Sequence, residues 1–353
     1  MSTLRRDTTP RTNRRFPLAQ MFTLFVLVLA LTPVLRAQQP AEPPPPPGAP
    51  QAAPPSGQKT PSGGYAISKD VSLVVLHASV INERGAFVPG LKQEDFRVLE
   101  DKVEQKMSVF RQEDVPVSMG LVIDNSGSMR DKRPQVNAAA LTLVKTSNPN
   151  DEAFVVNFND DFYLDTVHDF TNDTTELKDA LERIDARGST ALYDAVIGSL
   201  DHLKKGAKDK KVLLVVTDGV DNASRKSLEN AVEEAQRSDA LIYAIGLFSD
   251  DDLKHNRGEM KKARRALTEM TNATGGLAFF PETVDDTEAI CTQIARDIRN
   301  QYTLAYYPTN SNQDGTYRTV QVALAPQRGL GKLSVRTRTG YYARAANRSA
   351  SGN

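Results

Sequence analysis

One cysteine, Cys291, in a chain of 353 residues rules out a disulfide within the chain, so the fold must rest on core packing and bound groups. Histidine is nearly as scarce: His77, His168, His202 and His255 stand apart and form no HExxH pair. An excess of one charge is missing too. The 44 Lys and Arg residues balance 44 Asp and Glu residues, which argues against nucleic acid or an anionic surface as the main partner. A GxxxxGK[ST] phosphate loop and a GxSxG nucleophile elbow are both absent. The apolar run at residues 21–31, MFTLFVLVLAL, falls short of the roughly 20 residues that cross a bilayer as a helix.

That run does have the length of an export-signal core. Five arginines and one acidic residue precede it within residues 1–15, and Ala37 offers a small side chain for cleavage. Residues 1–37 are therefore expected to be a signal peptide that sends the chain to the periplasm or cell exterior of a bacterium. Membrane contact follows only if the segment stays uncleaved. Residues 38–64, rich in Pro, Gly, Ala and Gln with prolines at all of 43–47, read as a semi-rigid polyproline tether. Residues 344–353 read as a disordered tail.

From 115 to 300, short β-branched runs alternate with helical patterns. Strands are expected at 119–123, 153–158, 211–217, 241–247 and 277–280. Between them Leu177, Ala180, Leu181 and Ile184 repeat at helical spacing, as do Leu192, Ala195, Val196 and Leu203. Strands apolar on both faces and separated by amphipathic helices imply a doubly wound α/β domain with a parallel sheet. The flanks, 65–113 and 301–343, read as strands without helices. Each alone is marginal, so together they are expected to form a small β-sandwich into which the α/β domain is inserted. Cys291 lies in a stripe with Ile290, Ile294 and Ile298 and reads as a small core residue, not a nucleophile.

The chemistry gathers at strand ends. Asp124-Asn125-Ser126-Gly127-Ser128-Met129 follows the first buried run, Thr217-Asp218-Gly219 follows another, and Gly188-Ser189-Thr190 opens a helix between them. In a doubly wound sheet, all three loops belong at the carboxyl edge where ligands gather. Hard oxygen donors without Cys or His suit Mg²⁺ or Mn²⁺ better than Zn²⁺. Two carboxylates then match the ion's charge. An EF-hand fails, with Met129 where its Gly and Gln135 where its Glu would stand.

Asp124, Ser126, Ser128, Thr190 and Asp218 resemble the five positions of the metal-ion-dependent adhesion site of von Willebrand factor type A domains, over residues 115–300. The tether, "GLKQEDFRVLED" and "QYTLAYYP…TGYYA" further resemble an exported family related to that domain and abundant in acidobacteria. The resemblance implies a Rossmann-like fold and direct metal binding by Ser126 and Ser128. Some of Asp124, Thr190 and Asp218 would then act through water, and an Asp or Glu carboxylate of a partner protein would complete the ion. It implies a binding module and no enzyme. The alternatives are a metal-dependent hydrolase and a structural domain without a working metal site.

Overall fold

The computed structural model describes residues 73–344, except 84–85, 113, 184, 249–253 and 327–330. The expected signal peptide, the Pro-rich tether and the tail beyond Arg344 lie outside the described residues. Among the described residues no helix is long and apolar enough to cross a membrane.

The chain begins with four strands, β1 (Val74–Asn82), β2 (Phe96–Glu100), β3 (Val103–Gln105) and β4 (Met107–Arg111). Within the expected β segment 65–113, the stretch 103–110 forms two strands, β3 and β4, which part at Lys106 and join different sheets. The α/β region follows, with β5 (Val117–Asp124), α1 (Arg133–Lys145), β6 (Glu152–Phe158), β7 (Phe162–Leu164), α2 (Thr174–Leu181), α3 (Leu192–Leu203) and β8 (Lys210–Thr217). It continues through α4 (Leu228–Arg237), β9 (Ala240–Gly246), α5 (Arg257–Thr274), β10 (Ala278–Phe279) and α6 (Thr287–Arg299). The closing strands are β11 (Tyr302–Tyr306), β12 (Tyr317–Leu324), β13 (Leu333–Arg336) and β14 (Gly340–Tyr342).

The six-stranded sheet runs β10-β9-β8-β5-β6-β7, parallel except for β7. Every residue of β5 and β9 is buried, as a strand covered on both faces requires. One face packs on α1, α2 and α6 through Leu121, Leu143, Leu177 and Ile294. The other packs on α3, α4 and α5 through Val122, Val196, Ala231 and Leu267. Cys291 belongs to the first layer, and burial pushes its thiol up to about 12, with Glu288 adding to the shift. A thiol so placed stays protonated and inert.

Two four-stranded sheets, β13-β1-β11-β4 and β14-β12-β2-β3, each draw strands from both ends of the described chain. They share one core that includes Leu76, Val80, Phe96, Val98, Tyr302, Leu304 and Val322. A buried polar cluster crosses that core. Glu100 on β2 accepts from the hydroxyls of Tyr306 on β11 and Tyr341 on β14, each at 2.8 Å, and pairs with Arg318 on β12 at 3.4 Å. Arg318 also donates to the carbonyls of Asn310 and Asn312. Burial first, then hydrogen bonding to Glu100, holds both tyrosine hydroxyls well above their ordinary range. Tyr307 lies just past β11 and is exposed.

The first of these sheets is joined to the α/β region at Asp297 on α6. Its carboxylate accepts from Ser79 Oγ of β1 at 2.8 Å and from the Tyr243 hydroxyl of β9 at 2.7 Å, and pairs with Arg336 of β13. Glu100→Leu removes one partner of a buried pair and leaves Arg318 and two hydroxyls without their acceptor, which predicts a loss of about 3–5 kcal/mol. Hydrogen exchange should then show lost protection in β2, β11 and β12 while β5 and β8 keep theirs. Unchanged protection in β2 and β12 would contradict the role given to Glu100.

Candidate metal centre

Because β5 and β8 are neighbours in register, with Ile123 opposite Val216, their last residues arrive together at the carboxyl edge. β6 lies on the other side of β5, so this edge is where the strand order reverses. Asp124 is fully buried there. Its Oδ2 accepts from Thr217 Oγ1 at 2.5 Å and its Oδ1 from the Ser126 amide at 2.8 Å. The second bond is an Asx turn, the local geometry that lets a short Asp-x-Ser segment reverse the chain. A turn of 3₁₀ helix over Gly127–Met129 follows, with Met129 anchored in the core.

The hydroxyls then form a chain. Ser126 Oγ lies 3.2 Å from Ser128 Oγ, and Ser128 Oγ donates to Asp218 Oδ1 at 2.8 Å. Thr190, just ahead of α3, is held by its backbone: its amide donates to Asn222 Oδ1 at 2.8 Å, and its carbonyl accepts from the amides of Asn222 and Ala223. Gly219, after Asp218, faces the Thr190 side chain: a β-carbon built there would stand 3.4 Å from Thr190 Oγ1, at ordinary van der Waals contact. Gly188 has φ +73°, and a β-carbon there would strike the Asp160 carboxylate, whose Oδ1 caps the Ser189 amide. Asp160 thus shapes the loop that carries Thr190.

Sequence reasoning missed three participants. Thr217 supports Asp124, and Asn222 fixes Thr190. Lys132 matters most: its Nζ donates to Asp218 Oδ2 at 2.5 Å and to the Leu247 carbonyl at 3.1 Å. The expectation that two carboxylates alone would match a divalent ion is corrected here, because a resident ammonium already neutralises one of them. No periodicity or spacing marks Lys132 in "MRDKRP"; only the fold brings it to Asp218. Behind the turn, the fully buried Arg133 donates to Asn157 Oδ1 and the Leu181 carbonyl at 2.8 Å, and Asn157 passes the contact on to Asp165 at 2.7 Å.

Burial pushes the Asp124 carboxyl up to about 6. The hydrogen bonds from Ser126 and Thr217 oppose the shift, and the charge of Asp218 adds to it. Two carboxylates, one ammonium and three small hydroxyl side chains, with Asp124, Ser126, Thr190 and Asp218 buried and Ser128 exposed, leave a net negative charge beside hard oxygen donors. That donor set fits a small divalent cation of the Mg²⁺ or Mn²⁺ type. Among the described residues no three His, Cys, Asp or Glu side chains converge as a metal cluster, so any ion here relies on the hydroxyls. His77, His168 and His202 are engaged elsewhere, with Thr303, Glu176 and the Asp169 carbonyl respectively.

Residues 119–220 match the family model of the von Willebrand factor type A domain. An uncharacterised protein of Borreliella burgdorferi is 29% identical over 107 residues, which are 27% of this chain and 31% of that protein. This chain therefore spans under a third of that relative's length. Among solved structures, von Willebrand factor type A from Catenulispora acidiphila is 12% identical over 79% of this chain and 75% of its own, with a TM-score of 0.47. The vWF domain of the type V pili tip protein Mfa5 from Porphyromonas gingivalis is 14% identical over 52% of this chain and 95% of its own, with a TM-score of 0.44.

The raised Asp124 carboxyl has a definite sign in stability. Between the unfolded carboxylate value of about 3.9 and the folded value of about 6, the native state holds a proton that the unfolded chain has released. Stability from this group is therefore complete below about 3.9 and is lost as pH rises through about 6, a change on the order of 3 kcal/mol. In chelator, wild type minus Asp124→Asn, compared by urea unfolding at each pH, should fall by that order between pH 4 and pH 7. A flat difference would show that Asp124 is not desolvated.

Proposed function

Residues 119–220 form a von Willebrand factor type A domain, and on that premise we propose that the chain is an exported, metal-dependent protein-binding module for adhesion or assembly. Its partner presents an Asp or Glu carboxylate. The observation that carries this reading is the continuous set of oxygen donors from Ser126 through Ser128 to Asp218, beside the buried Asp124 at the adjoining strand end.

Ser126, Ser128, Thr190, Asp124 and Asp218 would hold Mg²⁺ or Mn²⁺. When bound, the ion supplies a Lewis-acidic centre that accepts a carboxylate oxygen from outside the chain. The residues themselves do the positioning. Thr217 and the Ser126 amide keep the Asp124 carboxylate in one orientation, Asn222 keeps Thr190 at the edge, and Met129 in the core fixes the turn between the two serines. Three hydroxyls add donors without adding charge, so the loaded site stays attractive to an anion.

Catalysis is not part of the proposal, since His77, His168 and His202 are bonded away from the site and Cys291 is buried in the core. Export rests on the basic start, the apolar run and the Pro-rich segment of the sequence.

Titration calorimetry of the secreted chain should show one Mg²⁺ or Mn²⁺ per molecule. Asp124→Ala and Asp218→Ala should each abolish it while circular dichroism stays native. Full stoichiometry in both variants would refute the ligand assignment. Thr190→Ala should weaken capture of envelope proteins more than it weakens metal binding, and chelator should abolish capture. Capture that persists in chelator would move partner recognition to the β sheets.

A further inference from the structure

Among the described residues, Lys132 is the one cation in direct contact with a carboxylate of the five-residue set. Its side chain is mostly buried and that of Asp218 almost fully so, which sets this pair apart from the solvated ion pairs of the surface. Leu247, just past β9, supplies a second acceptor, so the ammonium is held between β8 and the segment after β9. Arg133, next in the chain, touches no carboxylate of the set: it bonds the Asp124 backbone carbonyl at 3.5 Å, and its charge is felt by Asp124 and by Asp165, the latter linked to it through Asn157. With Arg133 and Asp165 counted as a second, cancelling pair, the site holds Asp124 and Asp218 against Lys132, a net charge of minus one without metal and plus one with a divalent ion.

Resting on the metal reading above, we propose that Lys132 is a built-in counter-ion that trades metal affinity for a positively charged loaded site, which selects an anionic oxygen ligand. In the metal-free chain the ammonium offsets the repulsion between two buried carboxylates and holds Asp218 in place. In the loaded site it opposes the ion across Asp218, weakening metal binding, and leaves one positive charge that only an anion neutralises. Without it, the two carboxylates and the ion would cancel, and the drive to recruit an external carboxylate would fall. Lys132 is thus a positioning and charge-setting residue, not a ligand.

A residue that merely tethered the loop would, on removal, lower both stability and metal affinity. A counter-ion moves them in opposite directions. Lys132→Met keeps the length and apolar stem, and Lys132→Arg keeps the charge. In chelator, Lys132→Met should melt below wild type, because Asp218 loses its partner. Titrated with Mn²⁺ alone and followed by electron paramagnetic resonance, it should bind about tenfold more tightly or better. Lys132→Arg should stay near wild type in both. With Mn²⁺ bound, acetate should displace metal-bound water from wild type, read as a fall in water proton relaxation, and do so less in Lys132→Met. Unchanged or weaker Mn²⁺ binding in Lys132→Met, with normal wild-type binding, overturns the counter-ion role alone. An equal acetate response overturns the anion selection. Absence of Mn²⁺ binding by wild type overturns the metal reading and this inference together.

Discussion

Two carboxylates brought side by side at the ends of adjacent buried strands are the constraint that organises this molecule. The β5–β8 pairing leaves no choice about it, because the register that packs Leu121, Val122, Leu214 and Val215 in the core also delivers Asp124 and Asp218 to one edge. Left alone, two such charges in a region poor in water would repel each other and resist ionisation. The surrounding structure answers that conflict in parts. Thr217 and the Ser126 amide stabilise one carboxylate, while Ser128 and Lys132 stabilise the other. The Asp124 carboxyl is still raised, chiefly by its burial and to a smaller degree by the charge of Asp218.

The loops that complete the site are held with backbone hydrogen bonds rather than apolar packing. Asn125 accepts from the Arg187 amide, Asn159 from the Ala191 amide and Asn222 from the Thr190 amide, so three separate loops are stitched to one another above the sheet. A small side chain is what makes this stitching fit at one point: Gly188 takes a left-handed backbone against Asp160. A rigid sheet below and a hydrogen-bonded crown above hold the short hydroxyl side chains in fixed positions.

The two smaller sheets follow a different logic. Their strands come from opposite ends of the described chain, and the buried Glu100–Arg318 pair with its two tyrosine hydroxyls specifies how they meet. Asp297 then ties both β1 and β13 to the last helix of the α/β region and to β9. Movement of α6 would have to break a charged and largely buried contact, so the two parts of the described chain are coupled through that helix.

By itself the sequence determined the local elements and the chemistry of the strand ends. Apolar runs such as MGLVI and KVLLVVT, short and bounded by turn residues, read as buried strands, and Asp, Ser, Thr and Gly after them are residues whose bonding is local. Both signals are carried by near neighbours in the chain. What lies far apart in sequence was decided only by tertiary structure. Lys132 reaches Asp218 across 86 positions and Thr217 reaches Asp124 across 93, and no local pattern records either contact. The split of 103–110 into strands of two sheets, and the short edge strand β7, likewise depended on which partners were available for pairing. Hydrophobic periodicity reports which side of a segment is buried, whereas the charge of a site is the sum of whatever side chains the fold brings within a few ångströms, and that sum exists only in three dimensions.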